Sequence, residues 1–244
     1  MSGARSGMRA LIVADGDVPG RAQLDAAWPG WDREVGLVVA ADGGWDKAAS
    51  LGLVADLLVG DADSLPEARF AALAAEGVPI ERSPKDKDES DAELALLAAL
   101  RRGATNVTVL GGLGGKRFDH ALANVGLLAL AEPGAVEVEL LDATTRVRLL
   151  RAPAVDGAAA RCELPGVADD LVSLLPLGES AVGVTTAGLL YPLLNETLRP
   201  GPARGLSNVR LTTEASVSLR RGYLLIVETR VDTESEQPGA GDRT

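Results

Sequence analysis

Acidic residues recur in this sequence directly after short apolar runs. Asp42 follows GLVVAA and opens DGG, Asp61 and Asp63 follow DLLVG one residue apart, and Asp119 and His120 close VTVLGGLGGKRFDH. Carboxylates held this close repel one another unless they are protonated or share a cation. An oxygen-only set dominated by Asp suits Mg²⁺, which commonly also carries substrate phosphates. Asp61 and Asp63 are therefore expected to share a magnesium ion, and that ion to carry a nucleotide. The glycine-rich stretch LGGLGGKRFDH (110–120) agrees with this. It lies between an expected strand and an expected helix, where free backbone N–H groups could face phosphate. Lys116 or Arg117 would add positive charge. The stretch is not a Walker A loop: Leu110 stands where glycine is required, and Lys116 is followed by Arg117. It is not GxGxxG in register either, because counting from Gly112 the last glycine position is Arg117.

The elements that must position these acids follow from periodicity. ALIVA (10–14), GLVVA (36–40), DLLVG (56–60), VTVLGG (107–112) and VEVELL (136–141) read as buried strands, with Ala/Leu-rich helices at 66–76, 91–102 and 120–131. Such alternation predicts a mostly parallel sheet covered on both faces. Open sheets of this kind bind ligands outside the carboxyl ends of their strands, so the acids are expected to converge on one edge. SPKDKDESDAELALLAALRRG (83–103) adds Asp88 and Asp91. Ser90 with Glu93 three residues on is a capping-box pattern, which starts a helix at Asp91. After residue 144 short strand candidates separated by Gly, Pro and Asp replace the alternation and predict an antiparallel β domain. The expected architecture is α/β followed by all-β: an α/β catalytic domain over 8–144, a β-sandwich over 145–230, and a polar tail over 231–244 with a disordered composition.

Bulk properties narrow the function. The chain has 244 residues, 46% of them hydrophobic, and a formal net charge of −11. That charge argues against nucleic acid or an anionic membrane as a partner, since phosphate backbones are bound by basic surfaces. It leaves room for a nucleotide at a local site. One cysteine, Cys162, excludes an intramolecular disulfide and fits a reducing, cytoplasmic compartment. No apolar run approaches the roughly 20 residues that span a bilayer, and the first residues lack the pattern of a secretory signal.

Taken in order, these segments resemble the thiamine pyrophosphokinase (thiamine diphosphokinase) family. ADGGWDKAASLGLVADLLVGDADSL is similar to the family's DGG segment and GDxDS motif, KDKDESDAELAL to its K-D-x-[ST]-D block, and GGLGGKRFDHALANV to its R-x-D-H-x-x-x-N segment. TTAGLLYPLLNETLRPGPARGLSN is similar to its GL-x-YPL and G-x-SN stretches. The resemblance runs from about residue 10 to 228. It implies diphosphoryl transfer from ATP to the thiamine hydroxyl with release of AMP, a C-terminal β-sandwich, and a homodimer with thiamine near its interface. It implies that Asp61, Asp63 and Asp91 hold magnesium and that Asp91 or Asp119 takes the hydroxyl proton. Asp42, Gly43, Gly112, Gly114, Arg117, His120 and Asn124 would shape the nucleotide site, and Asp91, Ser207 and Asn208 would bind the acceptor. Two other readings stand beside it. One is a related diphosphokinase acting on a hydroxymethylpterin. The other is a non-catalytic nucleotide-binding regulatory protein, which would have no need of an acid cluster.

Overall fold

The computed structural model describes residues 7–61, 67–84, 86–130, 136–152 and 158–231. Its first half alternates strand and helix: β1 (Met8–Val13), α1 (Arg21–Ala27), β2 (Val35–Ala41), α2 (Gly44–Ser50), β3 (Leu57–Gly60), α3 (Glu67–Ala75), β4 (Ile80–Arg82), α4 (Asp91–Arg101), β5 (Ala104–Leu110), α5 (Phe118–Leu127) and β6 (Glu137–Leu141). The second half is built from strands: β7 (Thr145–Arg151), β8 (Ala160–Pro165), β9 (Leu171–Pro176), β10 (Ala181–Ala187), β11 (Glu196–Leu198), β12 (Asn208–Val209), β13 (Glu214–Leu219) and β14 (Tyr223–Thr229).

One sheet runs through both halves, in the order β12-β9-β14-β7-β6-β5-β1-β2-β3-β4. From β6 to β4 every pairing is parallel, and from β6 outward through β7, β14, β9 and β12 every pairing is antiparallel. A second antiparallel sheet, β11-β10-β13-β8, covers the outer part of the first. The expected boundary at 144–145 falls in the β6–β7 hairpin, where Leu140 pairs with Val147 and sheet hydrogen bonding continues across it.

Alternation along the strands explains the layers. Ile12, Val39, Val59 and Val109 meet Ala95, Leu96 and Ala99 of α4 on one face, while Leu11, Val38 and Leu110 meet Leu24, Trp28 and Trp31 on the other. A strand buried on both faces is apolar at consecutive positions rather than alternate ones, as ALIVA is. Along β14, Leu224 and Ile226 turn into the space between the two sheets with Val172, Leu174, Val184 and Val217, while Leu225 continues the α/β core. Among the described residues no helix is long and apolar enough to cross a membrane.

Candidate active site

Two parallel strands and one helix deliver the acids. β2 ends at Ala41, and Asp42 turns the chain into α2 in the left-handed conformation at φ 49°. Aspartate tolerates that region better than most residues. The Asp42 N–H donates to Val59 O at 2.9 Å, tying this turn to β3. Asp61 follows Gly60, the last residue of β3. Gly60 has φ +150°, and a Cβ there would fall 2.1 Å from Asp42 Oδ1, so only glycine lets the Asp42 carboxylate lie across the strand end. Asp91 is the first residue of α4, whose N-cap Ser90 accepts the Glu93 N–H at 3.1 Å.

These three carboxylates converge: one oxygen from each of Asp42, Asp61 and Asp91 lies within 4.8 Å of the others. Asp42 is buried, and Asp61 and Asp91 are half-buried. Asp63 lies outside the described residues. The third acid found beside Asp61 and Asp91 is thus Asp42, which the sequence placed with the nucleotide. Lys87 reaches the cluster from the loop before α4, pairing with Asp91 and donating to Ser83 Oγ at 2.8 Å.

The glycine-rich segment lies between β5 and α5, at the same edge of the sheet. Asn124 is buried on α5 and donates from Nδ2 to Gly112 O at 3.0 Å, so its amide pins this loop. Gly16, in the loop after β1, meets the segment backbone to backbone, where a Cβ would sit 2.2 Å from Gly111 O and 2.5 Å from Gly114 O. Arg117 caps α5 and donates from Nε to Asp119 Oδ1 at 3.1 Å, with both side chains exposed. That hydrogen bond holds the Asp119 carboxyl below the usual carboxylate range. His120 is exposed in the first turn of α5.

Asp15, Lys47 and Lys87 also stand at this edge and were not among the residues expected there. Gly43 packs against the Asp15 carboxylate, and Lys47 bridges Asp15 Oδ1 and Gly16 O, each at 2.8 Å. The signal for Asp15 was present, since it follows ALIVA just as Asp42 follows GLVVAA. Lys87 stood in the quoted KDKDESD block.

The acceptor residues expected in the second half are elsewhere. Ser207 is exposed at φ 54°, and its N–H donates to Ser173 Oγ at 3.0 Å. Asn208 is buried: Oδ1 accepts the Tyr191 N–H at 2.9 Å and Nδ2 donates to Tyr191 O at 2.7 Å. Its amide therefore staples the GLLYPLL segment to β12. In the sheet order β12 is seven steps from β2. At about 4.8 Å per step this is roughly 34 Å measured along the sheet. The acids and the Ser207–Asn208 stretch of one chain are far apart.

Comparison with known proteins gives a consistent set of matches. Residues 31–140 match the family model described as thiamin pyrophosphokinase, catalytic domain, and residues 162–224 match that described as thiamin pyrophosphokinase, vitamin B1 binding domain. The thiamine pyrophosphokinase of Bacillus subtilis is 24% identical over 207 residues, 82% of this chain and 90% of that protein. The crystal structure of a B. subtilis thiamine pyrophosphokinase superposes with a TM-score of 0.76 at 23% identity, over 91% of this chain and 98% of that one. Yeast thiamin pyrophosphokinase gives 0.72 at 16% identity, over 93% and 88%. At these identities the solved structures speak for the fold.

Proposed function

This chain belongs to the thiamin pyrophosphokinase family, and from that premise we infer that it transfers a diphosphoryl group from ATP to the hydroxyl of thiamine, giving thiamine diphosphate and AMP. The observation that carries this reading is the convergence of Asp42, Asp61 and Asp91 beside the glycine-rich loop. The acceptor oxygen attacks the β-phosphorus of ATP, the bond from that phosphorus to the α,β-bridging oxygen breaks, and AMP leaves. Little covalent chemistry falls to the protein in such transfers, which depend on positioning and charge stabilisation.

The acid cluster fits a magnesium ion. Oxygens bound to Mg²⁺ at about 2.0–2.1 Å lie roughly 3–4 Å from one another, close to the spacing of the three carboxylates. Asp42, Asp61 and Asp91 would hold the ion, with Asp63 following in sequence. Bound there, it would offset the charge of the phosphate oxygens. Lys87 sets the position of the Asp91 carboxylate through their ion pair. Asn124 and Gly16 fix the loop that faces phosphate. Asp119, engaged by Arg117, orients that arginine, and Asp91 or Asp119 takes the hydroxyl proton.

Thiamine is held by a second copy of the chain. The distance between the acids and Ser207 supports this, as do exposed apolar side chains on the segments joined at Ser207–Arg210: Leu190, Tyr191, Leu206 and Leu211. Phe118 and Leu122 are exposed on α5, the helix that follows the glycine-rich loop, and offer an apolar counterpart. The site is then completed across a homodimer. The single cysteine fits a cytoplasmic setting.

The test is AMP release from ATP and Mg²⁺ with thiamine or a hydroxymethylpterin as acceptor. The expected result is turnover with thiamine, lost in Asp61→Asn. AMP release with the pterin alone would replace the acceptor assignment, and no release with either would overturn the enzyme reading. At thiamine concentrations well below the raised KM of Ser207→Ala, mixing Asp61→Asn chains with Ser207→Ala chains should recover part of the activity, because mixed dimers contain one site with both residues intact. An active monomer in sedimentation would refute the shared site.

A further inference from the structure

On the α1 side of the sheet, away from the acid cluster, lies a cleft of about 510 Å³, a size typical of small-molecule sites. Its walls include Arg9, Trp28, Trp31, Arg146, Val167 and Arg230. The guanidinium groups of Arg146 and Arg230 lie over the Trp28 ring, at 5.1 and 4.6 Å from its centroid. Beneath them a charge network is buried between the sheets. Glu228 is held by Arg146 at 2.9 Å, Arg148 at 2.7 Å and Arg210 at 3.0 Å, and Asp170 pairs with Arg230.

The charges do not cancel. Arg9, Arg146, Arg148, Arg210 and Arg230 line or underlie the cleft against Glu139, Asp170 and Glu228. Five cations face three anions in a molecule whose net charge is −11. Donor capacity is left over as well. Beneath the lining, Arg210 is 1% exposed and its Nε has no hydrogen-bond partner, with Asp170 Oδ2 3.9 Å away; the buried Nε of Arg148 has none either. At the cleft wall, Nη1 of Arg146 and Nη2 of Arg230 have no hydrogen-bond partner among the described residues. Guanidinium groups fixed by packing, with spare donors and uncompensated charge, are suited to oxyanions.

We propose that this cleft is a second, non-catalytic site for a small organic oxyanion bearing a phosphate or carboxylate group, held by Arg146 and Arg230 above Trp28. The remaining volume takes the organic part. The site stands apart from the acids and needs no magnesium.

The tryptophans give a direct readout. The chain has three, and Trp45 lies on α2 beside the Asp42 turn. In a Trp45→Phe chain the emission therefore comes from Trp28 and Trp31, both in the cleft wall. Inorganic phosphate, diphosphate and citrate are titrated separately without magnesium, against chloride at equal ionic strength. A saturable emission change with at least one of the three is expected. Saturation by phosphate or diphosphate alone marks a phosphoryl ligand, and saturation by citrate alone marks a carboxylate. Val167 is 57% exposed and contributes only its backbone N–H to the network. Val167→Glu thus places a competing carboxylate in the cleft without disturbing the buried ion pairs. It should weaken binding at least tenfold, and Val167→Gln should not. A response no different from chloride, or equal saturation in Val167→Glu, would overturn the proposal.

Discussion

Replacing Gly60 by alanine tests whether Asp42 belongs to the cation cluster. The new Cβ would stand 2.1 Å from Asp42 Oδ1, on a residue at φ +150°. Backbone in so sparse a region costs an L-residue about 1–3 kcal/mol. The contact is too short to persist, so something moves. The Asp42 backbone is fixed by its N–H to Val59 O at 2.9 Å and by the Trp45 N–H to its own carbonyl at 3.2 Å. The side chain is therefore what swings away. For a cost of about 2 kcal/mol, at about 2–4 °C per kcal/mol for a chain this size, the magnesium-free Tm should fall by roughly 4–8 °C. If one carboxylate leaves the cluster at a cost of about 1.4 kcal/mol in binding, the magnesium requirement rises about tenfold. AMP release over a magnesium series, with melts in parallel, reads both quantities. In an Asp42→Asn background, Gly60→Ala should raise the requirement little further, because the two changes act on one group. A fall in Tm with an unchanged magnesium requirement would remove Asp42 from the cluster. If neither changed, the geometry described for this turn would be wrong.

Other substitutions separate support from chemistry. Ser90→Ala should cost about 0.5–2 kcal/mol in a denaturant melt as a lost N-cap, whereas Asp91→Asn should abolish AMP release with the fold nearly intact. Ser207→Ala should raise the thiamine KM and leave Tm unchanged. Asn208→Ala should raise the same KM and also lower Tm, since its amide holds Tyr191. Burial pushes the Glu228 carboxyl up, but the Arg148 and Arg146 guanidiniums outweigh it and hold the group below the usual carboxylate range. Its contribution to stability is thus fully present above about pH 4.5 and is lost as pH falls through its lowered pKa. Glu228→Gln should flatten that acid limb while destabilising the protein at neutral pH by about 3–5 kcal/mol, as breaking a buried pair does.

Sequence pattern carried the α/β half far. Apolar runs located β1, β2, β3, β5 and β6, and Ser90 with Glu93 set the start of α4 at Asp91. What it missed arises between elements rather than within them. Asp42 reaches Asp61 and Asp91 because a left-handed residue and a glycine at the neighbouring strand end permit the approach. The seven-residue helices α1 and α2 are too short to show a clear period. The continuity of the sheet across residue 144 is carried by the β6–β7 hairpin, at the point where the strand–helix alternation ends and a domain boundary was expected. Asn208 was noticed for its motif, but its bonds to Tyr191 depend on how two loops fold together.

The sheet order also dictates when the fold can be finished. β14, the final described strand, lies between β7 and β9, and β12 attaches only to β9. Arg230, just beyond β14, donates to Thr144 O and to Ala27 O. As the chain emerges from the ribosome, β1 to β6 can pair in turn, but β9 and β12 have no place in the sheet until the last strand arrives. The apolar side chains of β9, β10 and β13 wait for that moment. Completion of the sheet therefore waits on β14. A nascent chain stopped before Tyr223 would hold half a sheet and an uncovered core, a state for chaperones rather than for function.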